Sequence, residues 1–110
     1  MSAFARLQRE IHQMSKDHGF WADEQDDSYR KLVLIHSEIS EAVEELRSGR
    51  APVLRYYQQD GKPEGFGVEL ADAMIRIMDL AERHGIDLDV FIAEKMSYNA
   101  GRPVLHGKTA

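Results

Sequence analysis

The sequence contains no cysteine. Disulfides, zinc sites built on thiolates and cysteine nucleophiles are therefore excluded. It also lacks any apolar run near the ~18 residues that a membrane span needs, so no membrane partner is expected. Close to the N-terminus, Arg6, Arg9 and Glu10 interrupt the apolar stretch that a signal peptide would require. We therefore expect a cytoplasmic protein.

Basic residues are in the minority: 14 Lys and Arg stand against 19 Asp and Glu, a net charge of −5. This balance argues against binding a nucleic acid polymer, because phosphate backbones are bound by basic surfaces. The argument is weak for single nucleotides, since a metal ion can carry the positive charge that their phosphates need.

Proline is also scarce, with three residues in 110, and the apolar residues recur at helical spacings. The length fits a single domain, residues 1–110. We predict an all-α fold, an antiparallel bundle of about four main helices over residues 2–17, 28–47, 65 or 66–83, and 88 to about 99. A long connection at 50–64 separates the second and third helices. The tail, 103–110, has no helical periodicity and is expected to be flexible.

The third predicted helix is apolar over an unusually wide arc, which runs from Val68 to Ala81. One neighbouring helix cannot bury so wide an arc, so we expect contacts on two sides of it. With few helices available, part of this surface should be covered by a second subunit. The pattern therefore predicts a core completed by oligomerisation.

Two acidic pairs share one spacing, Glu38-x-x-Glu41 and Glu69-x-x-Asp72. Residues three apart lie on one face of a helix, so two packed helices could bring four carboxylates together. Two like charges about 4 Å apart repel by roughly 4 kcal/mol at an effective dielectric near 20. A divalent metal is the usual counter-charge, and oxygen-only ligands suit Mg²⁺ or Mn²⁺. The simpler interpretation for Asp72 is a surface ion pair with Arg76.

A polar set follows on the fourth predicted helix and its end: Lys95, Asn99 and Arg102, at spacings of four and three. Carboxylates to hold metal, with Lys and Arg to hold phosphate oxygens, are the groups that phosphoryl-transfer chemistry requires. Aromatic residues, among them Trp21 and Tyr98, are candidates for a base pocket. For Trp21, next to Phe20, a hydrophobic plug under the bundle is the alternative.

These motifs together resemble the MazG-like branch of the all-α nucleoside triphosphate pyrophosphohydrolases. The resemblance extends over roughly residues 30–108, and it lies in the segments Ser37-Glu38-Ile39-Ser40-Glu41-Ala42, Glu69-Leu70-Ala71-Asp72-Ala73 and Glu94-Lys95-Met96-Ser97-Tyr98-Asn99, with Arg102 three residues further on.

The resemblance implies Mg²⁺-dependent hydrolysis of a nucleoside triphosphate, a deoxynucleotide or a non-standard one, to the monophosphate and pyrophosphate. It implies a house-cleaning role in nucleotide metabolism and a dimeric or tetrameric assembly. Its metal ligands would be Glu38, Glu41, Glu69 and Asp72, with Glu38 or Glu41 as the catalytic base. The phosphate or sugar would be bound by Lys95, Asn99 and Arg102.

One position departs from the family pattern. The first motif of the family often begins with two adjacent glutamates, and the first of these positions is Ser37 here. Glu45, one helical turn beyond Glu41, could compensate as a residue around the metal ligands or as the base.

Two other classes of protein fit parts of the pattern. The first is a non-catalytic helical interaction module whose acidic stripes are solvated faces. The second is a di-iron carboxylate bundle, which usually needs Glu-x-x-His on two helices. No Glu-x-x-His occurs in the sequence, so the di-iron bundle is the weaker of the two.

Overall fold

The computed structural model describes residues 1–22 and 27–103. Within these ranges the chain forms four helices and one two-stranded sheet, which confirms the predicted all-α fold. The elements are α1 (Ala3–Asp17), α2 (Ser28–Arg47), β1 (Tyr56–Tyr57), β2 (Pro63–Glu64), α3 (Phe66–Arg83) and α4 (Leu88–Ala100). In the described ranges, no helix is long and apolar enough to cross a membrane.

The helices begin and end at local signals. Ser2 is the N-cap of α1, and its Oγ accepts a hydrogen bond from the backbone N–H of Ala5 at 3.0 Å. The α2 helix is capped by the side chain of Asp27. After the C-caps of α1 and α3, Gly19 and Gly85 adopt positive φ angles. Such caps satisfy backbone groups that the helix leaves free at its ends.

Helix α3 lies at the centre, with α1 and α2 packed against it. Ser28, at the start of α2, pairs with His84 at the end of α3, while Glu45 near the end of α2 lies beside Glu69 at the start of α3. These two helices are therefore antiparallel. The predicted contacts on two sides of the third helix are confirmed.

Within the described ranges the buried residues are mostly small or polar, and Met78 is the one large apolar residue among them. The buried apolar residues are Ala42, Ala73, Met78 and Ala81, and the buried polar residues are Gln8, His12, Glu38, Glu69 and Asp79. Many large apolar side chains are exposed, among them Val33, Ile39, Met74 and Phe91. A single chain therefore leaves most of its apolar arcs in contact with solvent.

The connection between α2 and α3 contains a short antiparallel hairpin, which sequence periodicity did not predict. Tyr56 pairs with Glu64, and the backbone N–H of Gln58 donates to the carbonyl of Lys62 at 2.9 Å. Gly61 has a φ of 89° in the turn, a conformation that glycine adopts without strain. Strands of two residues are too short to show alternating apolar and polar positions. The hairpin brings Lys62 and Glu64 back towards the start of α3.

Helix α4 contacts α1, and Ser2 donates a hydrogen bond to Asp89 there. It ends at Ala100, with Gly101 as its C-cap, close to the predicted end. Of the predicted flexible tail, residues 104–110 lie outside the described residues, as does most of the acidic stretch after Trp21.

A buried hydrogen-bond network joins α1 to α3. The carboxylate of Asp79 accepts hydrogen bonds from His12 Nδ1 at 2.6 Å, Ser15 Oγ at 2.8 Å and Trp21 Nε1 at 2.9 Å. Lys31 and Arg83 lie over the Trp21 ring at 4.5 and 5.1 Å. Three donors on one buried carboxylate satisfy a charge that would otherwise be costly to bury.

Replacing this carboxylate should destabilise the fold. We expect Asp79→Ala to lower the free energy of unfolding by about 3 kcal/mol, because three buried donors lose their acceptor. Urea unfolding followed by the fluorescence of Trp21, the only tryptophan, measures the change. In the control, Asp17→Ala removes an exposed carboxylate that accepts from Gln13 and should change stability by less than about 0.5 kcal/mol. Equal stability of the two variants would contradict the prediction.

Candidate metal centre

Carboxylates from α2 and from the first turn of α3 meet where the two helices pack together. Glu38 and Glu41 on α2 and Glu69 on α3 can each place one oxygen within 4.8 Å of the others. Asp72, one turn after Glu69, lines the same cavity but lies outside this group of three. The two acidic pairs of the sequence therefore converge, with three members in close contact and the fourth beside them.

The innermost carboxylates are buried. Only 8% of Glu38 and 5% of Glu69 is exposed to solvent, while Glu41 is exposed on the cavity side. Acidic residues are rarely buried this deeply unless they are paired or bind a metal. These two residues therefore do not belong to a solvated acidic face.

Arg76 partly neutralises the cluster. Its Nε donates to Glu38 Oε1 at 3.0 Å, so the hydrogen bond from Arg76 goes across to α2. The surface ion pair with Asp72 that helical spacing allowed is not among the ion pairs of the described residues. Lys62 of the hairpin is a second nearby cation. Two cations face four carboxylates, so ionising all four would leave the site with an excess of negative charge.

Burial and mutual repulsion raise the pKa values of two carboxyl groups on α3, those of Glu69 and Asp72. Burial raises the pKa of Glu69 to about 8, and the neighbouring carboxyl groups of Glu41 and Glu38 add to the effect. Burial also raises the pKa of Asp72, as does the negative charge of Glu38, while Arg76 opposes the rise. Groups that resist losing a proton in this way are those that a bound cation would stabilise in the ionised form.

One oxygen of the cluster has no partner in the described structure. Glu69 Oε2 is buried and accepts no hydrogen bond. The protonated carboxyl group of Glu69 can hydrogen-bond to Glu41 and Glu38. When all three are ionised none of them can donate, so the oxygen then lacks a partner. Hard oxygen ligands on two helices, one of them unsatisfied, fit Mg²⁺ or Mn²⁺. The residues present are thus suited to the metal that the sequence predicted.

A cavity of ≈ 1400 Å³ opens onto the cluster. This volume exceeds the roughly 300–1,000 Å³ of most small-molecule sites. One side of the cavity is acidic and carries the cluster. Helix α1 contributes apolar residues to the lining, among them Phe4, Leu7, Ile11 and Met14.

The predicted phosphate-binding set lies elsewhere. Lys95 and Arg102 lie over the exposed ring of Tyr98, at 4.9 and 5.6 Å. Lys95 and Tyr98 line a different, smaller pocket on α4, and Asn99 is not among the residues of the acidic cavity. Within one chain, α4 does not contribute these side chains to the cavity, so their role stays a prediction.

The aromatic candidates are also placed apart. Trp21 is half-buried against His12 and donates a hydrogen bond to Asp79. This placement fits the alternative of a plug under the bundle better than a base pocket. Phe20, its neighbour, lines the acidic cavity. A base-pocket role for Trp21 or Tyr98 stays a prediction.

Lys62, Pro63 and Glu64 of the hairpin line the cavity, although the sequence did not single them out as site residues. Lys62 Nζ lies 3.3 Å from Glu64 Oε1, and both side chains face the acidic side of the cavity. The signal that could have indicated them is the Lys-Pro-Glu-Gly segment directly before the helix that carries Glu69. Because this charged turn comes directly before the helix, the chain must bring it close to the first turn of that helix.

The fold and the site together define an all-α protein with a buried carboxylate cluster at the edge of a large cavity. Comparisons with protein families, curated proteins and solved structures found no match for this chain.

Proposed function

We propose that this protein is a Mg²⁺-dependent pyrophosphohydrolase that converts a nucleoside triphosphate to the monophosphate and pyrophosphate. Mn²⁺ is the alternative ion. The proposal rests on the carboxylate cluster and on the resemblance of its motifs to the MazG-like enzymes. The observation that supports it best is the buried, unpartnered oxygen of Glu69 within reach of Glu38 and Glu41.

The metal would be held by Glu38, Glu41 and Glu69, with Asp72 beside them. When bound, Mg²⁺ would supply positive charge to the phosphates and lower the pKa of a coordinated water. The carboxylates in turn would keep their ionised form in a buried position, which the metal-free site disfavours.

Glu41 is the better candidate for the proton acceptor. Glu38 is held by Arg76, whereas Glu41 is exposed at the cavity, where a water molecule could reach it. In the proposed reaction, Glu41 takes a proton from the attacking water while the oxygen of that water bonds to the α-phosphorus. The bond from that phosphorus to the bridging oxygen breaks, and the electron pair leaves with pyrophosphate.

Lys62 and Arg76 are the Lys and Arg side chains that line the cavity among the described residues. Lys62 lies on the hairpin and is mostly exposed, so its ammonium group can reach the leaving phosphates. We propose it as a phosphate ligand, in addition to the set on α4.

We also propose that the protein acts as a homo-oligomer. The large apolar side chains exposed on α2, α3 and α4 exceed the scattered apolar residues that a monomer usually leaves in water. A second copy covering them would complete the core.

A panel of standard and modified nucleoside triphosphates, with Mg²⁺ and with EDTA, tests the enzymatic proposal. We expect pyrophosphate to be released in one step from at least one nucleotide, and no release with EDTA. Chromatography separates pyrophosphate from single phosphate. Stepwise release of phosphate would indicate a different phosphatase. No hydrolysis of any nucleotide would favour the non-catalytic interaction module, although the burial of Glu38 and Glu69 weighs against that alternative.

A further inference from the structure

The C-terminal end of α1 forms part of the wall of the acidic cavity. Three polar side chains from α1 and its C-cap line the cavity, those of Glu10, Ser15 and His18. Met14 and the exposed ring of Phe20 line it as well. These residues are joined locally, since the backbone N–H of Phe20 donates to the carbonyl of Ser15 at 3.1 Å. The end of α1 thus presents apolar surface with a few polar groups, as small-molecule sites do.

The hydroxyl proton of Ser15 is already used within the protein. Ser15 Oγ donates to the carboxylate oxygen Oδ2 of Asp79 at 2.8 Å. A hydroxyl has one hydrogen to donate, and its oxygen keeps lone pairs for further bonds. Towards a ligand in the cavity, Ser15 is therefore an acceptor.

The ring of His18 is held in one tautomer. Its Nδ1 lies 2.8 Å from the backbone carbonyl oxygen of Met14. Because a carbonyl oxygen can only accept, Nδ1 carries the proton, and Nε2 of the neutral ring is an acceptor. The side chain of His18 is exposed and lines the cavity. Like Ser15, it offers an acceptor to a ligand.

The donors of the cavity wall come from other elements. In the described part of the chain, the lining side chains with N–H or O–H groups still to donate are Ser40, Lys62 and Arg76. They lie on α2, the hairpin and α3, whereas Glu10 on α1 can only accept when it is ionised. Phosphates need the two cations, so a bound nucleotide would place its phosphates at Lys62 and Arg76 and its base at the end of α1.

The separation along α3 suits this orientation. Ser15 is bonded to Asp79, which lies seven residues after Asp72 on α3. At 1.5 Å per residue this is about 10 Å along the helix axis. The sugar of a nucleotide holds its base away from the first phosphate, so one molecule can reach both places.

We infer that the end of α1 binds the base of the nucleotide and selects bases with an exocyclic amino group, cytosine and adenine, over uracil and hypoxanthine. Phe20 and Met14 supply the apolar surface on which the base stacks. The amino group has two N–H donors, which Ser15 Oγ and His18 Nε2 accept. The keto oxygen that uracil and hypoxanthine carry in its place would face two acceptors. The inference rests on the proposed function for the kind of ligand, and it makes Ser15 and His18 the residues that determine specificity.

Binding of nucleotide analogues tests the inference without turnover. The probes are the α,β-methylene analogues of CTP and UTP, in which a methylene group replaces the bridging oxygen that would leave. Titration calorimetry of the full chain with Mg²⁺ at pH 8, where histidine is ordinarily neutral, gives both dissociation constants. We expect the CTP analogue to bind at least about tenfold more tightly, because the keto oxygen of uracil leaves two acceptors without a donor. The adenine and hypoxanthine analogues should differ in the same direction.

Variants separate base selection from a structural role. His18→Gln should lower the ratio of the two dissociation constants to about twofold or less, because an amide can turn either its oxygen or its NH₂ group to the base. A purely structural role of His18 would weaken both analogues equally. The control His36→Gln changes an exposed histidine of α2 that does not line the cavity, and it should keep the ratio. Phe20→Ala should weaken both analogues about tenfold through lost stacking and leave the ratio unchanged.

Two measurements guard against a variant that does not fold. Circular dichroism checks each variant. Nitrogen NMR of the wild-type histidine rings tests the tautomer directly, and we expect Nε2 of His18 to be unprotonated at pH 8.

Several results would overturn the inference. They are equal binding of the two analogues, tighter binding of the UTP analogue, no binding of either, a His18→Gln variant that keeps the wild-type ratio, and a protonated Nε2 on His18 at pH 8. Preferential binding of the CTP analogue without hydrolysis in the nucleotide panel would instead reject the proposed enzyme and leave the base selection intact. The two proposals can therefore fail separately.

Discussion

Glu41→Gln is expected to lower the rate of nucleotide hydrolysis by about 10³-fold, because a positioned proton acceptor typically contributes 10²–10⁴. The amide keeps the size of the side chain and an oxygen towards the cavity, but it cannot take a proton from water. Steady-state release of pyrophosphate, measured at saturating Mg²⁺ and nucleotide, gives the change in turnover.

Glu44→Gln provides the matched control for this prediction. It makes the same chemical change on the same helix, at an exposed residue that pairs with Arg47 and lines the cavity but is outside the carboxylate cluster. It should retain activity within about twofold of the wild type. Circular dichroism of both variants should match the wild type. Loss of helicity in Glu41→Gln would instead assign that residue a structural role, and retained turnover would exclude it as the proton acceptor.

The metal-free protein is expected to lose stability as the pH rises from about 4.5 to about 8, the span of the raised pKa of Glu69. Within this window the folded chain keeps a proton that the unfolded chain has already released. Stability therefore falls with pH and levels off above about 8. Asp72, whose pKa is also raised, acts in the same direction.

The size of this loss follows from the shift. One pKa unit corresponds to about 1.36 kcal/mol. Because the cavity admits water to part of the cluster, we expect a loss of about 2–3 kcal/mol, less than the full shift would imply. Added Mg²⁺ should stabilise the protein most above pH 8, where the carboxylates are ionised and ready to bind it.

Thermal unfolding with EDTA or Mg²⁺, from pH 5 to 9, measures both effects. In EDTA, the stability of Glu69→Gln should decrease less with rising pH than that of the wild type. The variant should also lose most of the stabilisation by Mg²⁺. The control Glu82→Gln changes a half-buried carboxylate on the same helix that accepts from Gln8, and it should keep the wild-type dependence on Mg²⁺. A wild type whose stability in EDTA rises over this pH range would contradict the prediction.

The helices could be predicted closely from the sequence because their signals are local. The limits of α2, Ser28 and Arg47, follow from apolar periodicity and from the glycine and proline after it. The hairpin at 56–64 could not be predicted, because its strands have two residues each. Its pairing depends on the contact that brings Glu64 to the start of α3, and no local pattern carries that information.

The candidate site could also be predicted only in part. The pairing of Glu38 and Glu41 with Glu69 could be predicted, since spacing places each pair on one face and elements that follow one another in sequence usually pack together. The position of Lys95 relative to them could not. It depends on where α4 packs, and the spacing of residues within a helix does not specify which helix lies next to it.

The exposed apolar arcs show a further limit of sequence patterns. Periodicity indicates which face of α2 should be buried, and Ala42 on that face is buried. It does not indicate what covers the larger residues beside it. In one chain, Ile39 and Val43 remain exposed, so the pattern alone cannot separate a core position from an interface position.

The Asp79 network has a consequence for how α1 and α3 align. Apolar helix surfaces tolerate sliding, because one aliphatic contact can replace another. Hydrogen bonds to a buried carboxylate do not, since they have fixed partners and directions. A shift of α1 by one turn, about 5.4 Å, would part Asp79 from His12 and Ser15 and leave its charge buried. The small apolar core is thus compensated by a polar contact that allows a single register between the two helices.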